Sequence, residues 1–163
     1  MEFQEVNNVH KAVIIGGGPG GSTTATLLAR RGYDVVLLER EKFPRDHVGE
    51  SLLPASMPVL EELGVLQQIE DEKFPKKLGA TMVWGRDDTP WSWYFRETNR
   101  TWPHSYQVSR PRFDQILLEN ARASGVDVRE GCNVFEALTD GSSGVVIGVR
   151  YRADDRTVTT MDA

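Results

Sequence analysis

Two short apolar stretches with a helical pattern between them open the sequence. Lys11–Ile15 and Asp34–Glu39 are rich in aliphatic and β-branched residues, a pattern typical of buried strands. Between them, residues 20–31 are predicted to form a helix that ends at Gly32, since glycine easily adopts the left-handed conformation of a helix end. A helix that connects two strands allows them to run parallel. The segment is therefore predicted to be one βαβ unit.

Shorter elements are predicted along the rest of the chain. A short helix is expected at residues 57–63 and a longer one at residues 111–124, with Pro111 in its first turn and Gly125 at its end. The patterns also predict strands at 79–85, 91–95 and 105–108, a third parallel strand at 127–129, and an antiparallel meander at 134–138, 145–151 and 157–161. The expected fold class is α/β, with a parallel sheet, an antiparallel β-meander and extra strands.

Composition narrows the classes of partner. The 163 residues are 39% hydrophobic and 26% charged, which suits a domain with a core, and the net charge of −5 gives no reason to expect nucleic acid or a membrane as partner. The apolar runs are too short to span a bilayer, and residues 1–10 lack the features of a signal peptide. The single Cys132 suits a reducing cytoplasm, and the three histidines show no metal-ligand spacing, so we expect no metal.

A glycine-rich motif lies between the first strand and the first helix. Gly16, Gly18 and Gly21 fit the pattern G-x-G-x-x-G, which gains its meaning from this strand–turn–helix context. Gly16 permits the tight turn, Gly18 lets a pyrophosphate approach the backbone, and Gly21 allows the helix to pack closely. The helix N-terminus offers free N–H groups and the positive end of its dipole to phosphates. The motif predicts a Rossmann-like dinucleotide site.

An acidic residue completes this prediction. Glu39 ends the second strand, where a carboxylate can accept hydrogen bonds from ribose hydroxyls and would repel the 2′-phosphate of NADP. We interpret the dinucleotide as FAD. The alternative is a glycine-rich turn with an unrelated surface glutamate. The neighbouring Arg40 either contacts the nucleotide or is a solvated surface arginine.

Three further stretches extend the interpretation. They are residues 43–45 (FPR) with 48–54 (VGESLLP), residues 74–81 (FPKKLGAT) with 84–85 (WG), and residues 108–114 (VSRPRFD) with Leu117. With these stretches the chain resembles the flavin-dependent halogenases of the branch that acts on phenols and pyrroles. The third stretch is shared with many hydroxylases and geranylgeranyl reductases, so it supports FAD alone. The first two together indicate halogenation.

The resemblance implies a reaction and its partners. Reduced FAD, supplied by a separate flavin reductase, would use oxygen and halide to make hypohalous acid for an electron-rich aromatic substrate, free or tethered to a carrier protein. Lys77, two residues before Gly79, matches the family's catalytic lysine, and Lys76 is the neighbour with which it could be confused. The alternative is a pair of solvated lysines before a strand.

The resemblance also extends the set of cofactor-binding residues. The loop with Glu50 and Ser51 would lie beside the flavin; the alternative is a helix start capped by Ser51 or Ser56. Arg110 would face FAD; the alternative is an ordinary charge near a helix start. The complete predicted set is Gly16, Gly18, Pro19, Gly20, Gly21, Ser22, Glu39, Arg40, Arg45, Glu50, Ser51 and Arg110.

We therefore expect residues 1–163 to be the N-terminal part of a single FAD-binding domain, incomplete as it stands. Residues 79–108 would face the substrate region, and residues 133–162 would form the meander. One alternative is an FAD-dependent aromatic monooxygenase or reductase of the same superfamily, which would not need Lys77. A second is a nucleotide-binding fragment without turnover of its own.

Overall fold

A computed structural model describes residues 11–86 and 88–163. The sequence predicts no signal peptide in residues 1–10. These residues lie outside those that the structure describes. The chain forms two compact units, of which the first comprises residues 11–45 with Leu117–Ala163 and the second comprises Asp46–Ile116. The helices are α1 (Pro19–Arg30), α2 (Met57–Glu62), α3 (Leu66–Asp71) and α4 (Arg110–Ala123). The strands are β1 (Lys11–Ile15), β2 (Asp34–Glu39), β3 (Lys76–Lys77), β4 (Gly79–Val83), β5 (Pro90–Tyr94), β6 (Ser105–Tyr106), β7 (Asp127–Glu130), β8 (Asn133–Thr139), β9 (Val146–Arg152) and β10 (Val158–Asp162).

A parallel sheet of order β1-β2-β7 is the centre of the first unit. The βαβ unit and the third parallel strand are thus confirmed, and β1 and β2 have the predicted bounds. The middle strand, β2, is buried on both faces, which explains its continuous apolar run. Val35 and Leu37 pack with α1 and the C-terminal half of α4, whereas Val36 and Leu38 pack with residues of the meander, including Tyr151.

The meander is confirmed as a second, antiparallel sheet of order β10-β9-β8. Its buried residues Val149, Tyr151 and Met161 join Cys132 in the cluster on one face of the parallel sheet. The sheet thus has helices on one face and the meander on the other. This arrangement fixes the end of β2, from which the acidic side chain of Glu39 reaches the glycine-rich loop.

The second unit is built from short elements. Strands β3 and β6 pair antiparallel, and so do β4 and β5. The segment around Ser51 adds to the other edge of β6 through an antiparallel bridge with Gln107 and a hydrogen bond from the Leu52 N–H to the Tyr106 carbonyl at 3.0 Å. Three extended segments therefore lie side by side, in the order 51–52, β6, β3.

Two elements of the second unit were not predicted. Helix α3 has only Leu66 and Ile69 as apolar residues in six positions, too few for a visible helical period. Strand β3 consists of Lys76 and Lys77, which carry no strand preference, and exists because β6 pairs with it. Among the described residues, no helix is both long and apolar enough to cross a bilayer.

Candidate functional site

The glycine-rich loop of the first unit joins β1 to α1. Gly16 has a φ of +96°, and its N–H donates to the Leu38 carbonyl at 2.8 Å, which ties the loop to the neighbouring strand. A Cβ on Gly21 would lie 1.9 Å from the Gly16 carbonyl oxygen, where no side chain fits. The loop therefore needs Gly16 for its turn and Gly21 for close packing, as the motif predicts.

The carboxylate of Glu39 holds this loop from the end of β2. Its Oε2 accepts a hydrogen bond from the Gly17 N–H at 2.6 Å, and its Oε1 accepts one from the Glu41 N–H at 2.8 Å. Because Glu39 is only 4% exposed, the alternative of a surface glutamate is wrong. Carboxylate oxygens have further acceptor capacity, so Glu39 can hold the loop and still accept a hydrogen bond from a ribose hydroxyl.

Arg45 brings a positive charge to the edge of the loop. Its guanidinium lies 3.3 Å from the Glu41 carboxylate, 4.0 Å from that of Glu39 and 4.8 Å from the centre of the Phe43 ring. A Cβ on Gly18 would lie 3.4 Å from Nη2 of Arg45, so the arginine is a direct neighbour of the loop. A guanidinium beside the N-terminus of a helix favours a ligand that contains phosphate.

The other predicted cofactor-binding residues of the first unit lie on or near the loop. Pro19 and Gly20 open α1, and no side chain caps the helix start. Ser22 is buried, and its hydroxyl donates to the Gly17 carbonyl at 2.9 Å, which braces the loop. Arg40 is exposed directly after β2. Contact of Ser22 or Arg40 with a nucleotide stays a prediction.

Replacing Glu39 tests its role in the loop without any ligand. Glu39→Ala is expected to lower the free energy of unfolding by about 1–3 kcal/mol, because the buried N–H of Gly17 and the half-buried N–H of Glu41 lose their acceptor. Glu39→Gln keeps one carbonyl oxygen for Gly17 and serves as the control, with a smaller loss. Urea unfolding of the ligand-free protein measures both. Equal stability of the alanine variant and the parent would show that the loop does not depend on this carboxylate.

In the second unit, Arg110 organises the turn before Glu50. Its Nε and Nη2 donate to the two carboxylate oxygens of Asp114 at 2.7 and 2.9 Å, and its Nη1 donates to the carbonyls of Val48 and Gly49. The hydrogen bonds to Asp114 raise the pKa of Arg110 above its ordinary value. Arg110 is 8% exposed, so it is no ordinary surface charge. Its contact with FAD stays a prediction.

The Glu50-Ser51 segment pairs with the strand beside it instead of capping a helix. Ser51 bridges to Gln107, whose Nε2 donates to Oε2 of Glu50 at 3.3 Å. No side-chain hydrogen bond caps α2 or the 3₁₀ turn at Pro54–Ser56, so the alternative that Ser51 or Ser56 is a helix cap is wrong. Glu50 and Ser51 are both exposed and can reach a polar ligand.

Lys77 is the half-buried member of the lysine pair. Its Nζ donates to the Leu52 carbonyl at 3.4 Å and lies 5.4 Å from the centre of the Phe95 ring. The electron-rich face of an aromatic ring attracts an ammonium, most strongly where water is partly excluded. The Lys77 amine thus contacts a backbone carbonyl and an aromatic ring and is partly shielded from water. The alternative of a solvated lysine does not describe it.

Lys76 lies on the other side of the strand, because successive strand residues face opposite ways. It is exposed and lines an open cavity of about 280 Å³ together with Leu78, Tyr94, Arg96, Pro103 and His104. Burial, followed by the charge of Lys76, lowers the pKa of His104 below its ordinary value. The two lysines therefore have different surroundings, and Lys76 suits a control.

Several residues of these sites were not visible in the sequence pattern. Asp114, four residues after Arg110 on α4, could have been found as an i,i+4 ion pair. The Leu52 carbonyl, the Phe95 ring and the Gly17 N–H gave no signal, because they come into place only through contacts between distant segments.

The part of the chain that the structure describes contains no cluster of side chains suited to bind a metal ion. Among residues 11–86 and 88–163, no group of three or more His, Cys, Asp and Glu side chains could hold an ion. Cys132 is buried as a free thiol, and burial raises its pKa. The features around the glycine-rich loop instead suit an anionic nucleotide. They are glycines without side chains, the N-terminus of α1, the Glu39 carboxylate as an acceptor for ribose hydroxyls, and the Arg45 guanidinium.

Comparison with known proteins agrees with this geometry. The sequence model of a family described as "FAD binding domain" matches residues 10–163. The chain is 41% identical over 135 residues to a tryptophan 2-halogenase of Chondromyces crocatus, covering 83% of this chain and 25% of the relative. It is 34% identical over 158 residues to a 1H-pyrrole-2-carbonyl-[peptidyl-carrier protein] chlorinase of Pseudomonas fluorescens, covering 86% of this chain and 35% of the relative.

A solved structure gives the same result for the fold. The myxobacterial chondrochloren halogenase superposes with a TM-score of 0.86 at 43% identity, over 95% of this chain and 35% of that chain. The chain therefore spans between a quarter and about a third of the length of these proteins.

Proposed function

This chain belongs to the family of FAD-binding domains, and we propose that it is part of a flavin-dependent halogenase that acts on a phenolic or pyrrolic substrate. The observation that carries the proposal is the half-buried amine of Lys77, held between the Leu52 carbonyl and the Phe95 ring. An FAD-dependent monooxygenase or reductase of the same superfamily, the alternative, would not need such an amine. The relatives named as halogenases support the same reading.

FAD would be held in the first unit by the glycine-rich loop, Glu39 and Arg45. The loop and the start of α1 offer N–H groups to the pyrophosphate, Glu39 offers an acceptor to the ribose, and Arg45 offsets the phosphate charge. In the second unit, Glu50, Ser51 and Arg110 are the residues that we assign to FAD. When bound in its reduced form, FAD supplies two of the four electrons that reduce oxygen to two waters.

Lys77 performs the step that belongs to this chain. An ammonium can hydrogen-bond the oxygen of hypohalous acid and so hold its electrophilic halogen toward the substrate. Two of the four electrons that reduce oxygen to two waters come from FAD. The halide and the aromatic C–H together supply the other two, and the ring proton passes to a base. The chain's contribution is thus placement and exclusion of water, while the cofactor supplies the oxidant.

The partners follow from this chemistry. A separate flavin reductase would supply reduced FAD, and the substrate would be a small electron-rich aromatic molecule. The name of one relative refers to a substrate on a peptidyl carrier protein, so tethered and free substrates both belong in the assay. We assign the protein to the cytoplasm, where the single thiol of this chain, Cys132, would stay reduced.

Product analysis tests the proposal. The full-length enzyme, given FAD, a flavin reductase, NADH and bromide or chloride, is expected to halogenate at least one member of a panel of phenols and pyrroles. Mass spectrometry detects the halogen by mass and isotope pattern, and reactions without halide are the control. Hydroxylated product that forms without halide would instead identify a monooxygenase. FAD binding without any product from free or carrier-bound substrates would favour a nucleotide-binding protein.

A further inference from the structure

The hydroxyl group of Ser105 is buried, yet it does not contribute a hydrogen bond to the described fold. The residue is 0% exposed, and its Oγ has no hydrogen-bond partner among the residues that the structure describes. Buried hydroxyls almost always have a partner, because an unpaired one destabilises the folded state. An alanine would fill nearly the same space without this cost. The serine therefore calls for a reason beyond packing.

The position of Ser105 in the sheet suggests the reason. Ser105 of β6 is the direct partner of Lys77 of β3, and directly opposed residues place their side chains on the same face of a ladder. The Lys77 amine reaches the Leu52 carbonyl, which belongs to the segment that pairs with the opposite edge of β6 through Tyr106. The lysine side chain therefore crosses β6 on the face that carries Ser105.

We propose that Ser105 is a positioning residue for the ammonium of Lys77, an inference that rests on the proposed function. An ammonium has three N–H donors. The Leu52 carbonyl takes one of them at 3.4 Å, beyond the usual range of about 2.7–3.2 Å, so this contact alone fixes the amine only weakly. Ser105 Oγ has no partner in the described part of the structure, and a turn of the lysine side chain would make it the acceptor for a second donor. The third donor would then be directed to the ligand. Two fixed acceptors would hold the amine in one orientation, whereas a single long hydrogen bond allows several orientations.

The first test measures the Lys77 amine itself and needs no turnover. In the full-length holoenzyme, lysines are labelled with a trace of isotopic acetic anhydride, and mass spectrometry gives the labelling of Lys77 relative to Lys76. Ser105→Ala is expected to raise this ratio roughly threefold to tenfold, the equivalent of one hydrogen bond lost by the ammonium. Lys76 lies on the other side of the strand and serves as the internal reference. An unchanged ratio would overturn the proposal.

The second test separates positioning from packing. Ser105→Ala and Ser105→Cys are both expected to lower halogenated product per flavin oxidised by roughly threefold to tenfold. Cysteine is nearly the size of serine but a poor hydrogen-bonding group. Melting temperatures of both variants should stay close to that of the parent, because alanine and cysteine leave the packing around this small buried side chain nearly unchanged. Full product yield in the cysteine variant, or a yield that falls only in step with melting temperature, would assign Ser105 to packing.

The two tests keep this proposal distinct from the proposed function. If the parent enzyme makes no halogenated product, the halogenase assignment fails, and the labelling ratio still decides whether Ser105 holds Lys77. If the parent halogenates and the ratio does not respond to Ser105→Ala, only the role of Ser105 fails.

Discussion

Lys77→Ala in the full-length enzyme is expected to abolish halogenated product while FAD binding and the oxidation of reduced flavin by oxygen continue. In the proposed mechanism FAD would supply the oxidant and Lys77 would position it afterwards, so we expect the loss to affect only the use of the oxidant. We expect product to decrease at least about a hundredfold, the size of effect for a group that acts directly in the transition state. Product is measured by mass spectrometry and flavin oxidation by absorbance in the same reaction.

Lys76→Ala is the matched control for this prediction. The two lysines are neighbours in sequence, but Lys76 is exposed on the other side of β3. Its replacement removes the same charge and is expected to leave halogenation nearly unchanged. Lys77→Arg keeps the charge but replaces a compact ammonium by a planar fork, so it should also lose most product. Normal halogenation by Lys77→Ala would remove the lysine from the mechanism, and loss in Lys76→Ala alone would move the role to its neighbour.

Gly21→Ala is expected to disrupt the first unit and with it the binding of FAD. An added Cβ would lie 1.9 Å from the Gly16 carbonyl oxygen and 3.4 Å from Cγ2 of Ile14. In the first contact the position of each atom is fixed by the backbone, since a Cβ does not move when a side chain rotates. No side-chain rotation therefore relieves the clash, and α1 must move away from the loop. Overpacking of a tightly packed site costs about 1–3 kcal/mol, occasionally more, and a backbone clash belongs at the upper end. We expect a melting temperature roughly 5–10 °C lower.

Gly20→Ala controls for the general effect of adding a methyl group to this helix turn. Gly20 precedes Gly21, yet a Cβ there meets nothing within 4 Å. Alanine is a better helix former than glycine by about 1 kcal/mol, so the melting temperature of the ligand-free protein should stay level or rise. Titration of FAD by fluorescence quenching should show binding lost in Gly21→Ala. Equal melting of both variants and the parent would mean that the loop is less tightly packed than the structure shows.

The sequence by itself determined the parallel core and the glycine-rich loop to a large degree. β1 and β2 have their predicted bounds, α1 is shifted by one residue, and β7 and the meander lie where the patterns placed them. Local signals decide these elements: an apolar run bounded by glycines, a helix stop at Gly32, and turn residues between short strands. The motif also predicted correctly why Gly16 and Gly21 are needed, since a tight turn and a close approach are properties of a few consecutive residues.

Only the tertiary structure decided which polar groups meet. The Glu39 carboxylate reaches Gly17, Arg110 reaches Val48, and Lys77 reaches Leu52, across 22, 62 and 25 positions of sequence. Such contacts depend on strand order and register, which no local pattern encodes. The same reason explains why two adjacent lysines of equal chemistry differ in burial, and why Ser105, ordinary in the sequence, is paired with Lys77 across β3 and β6.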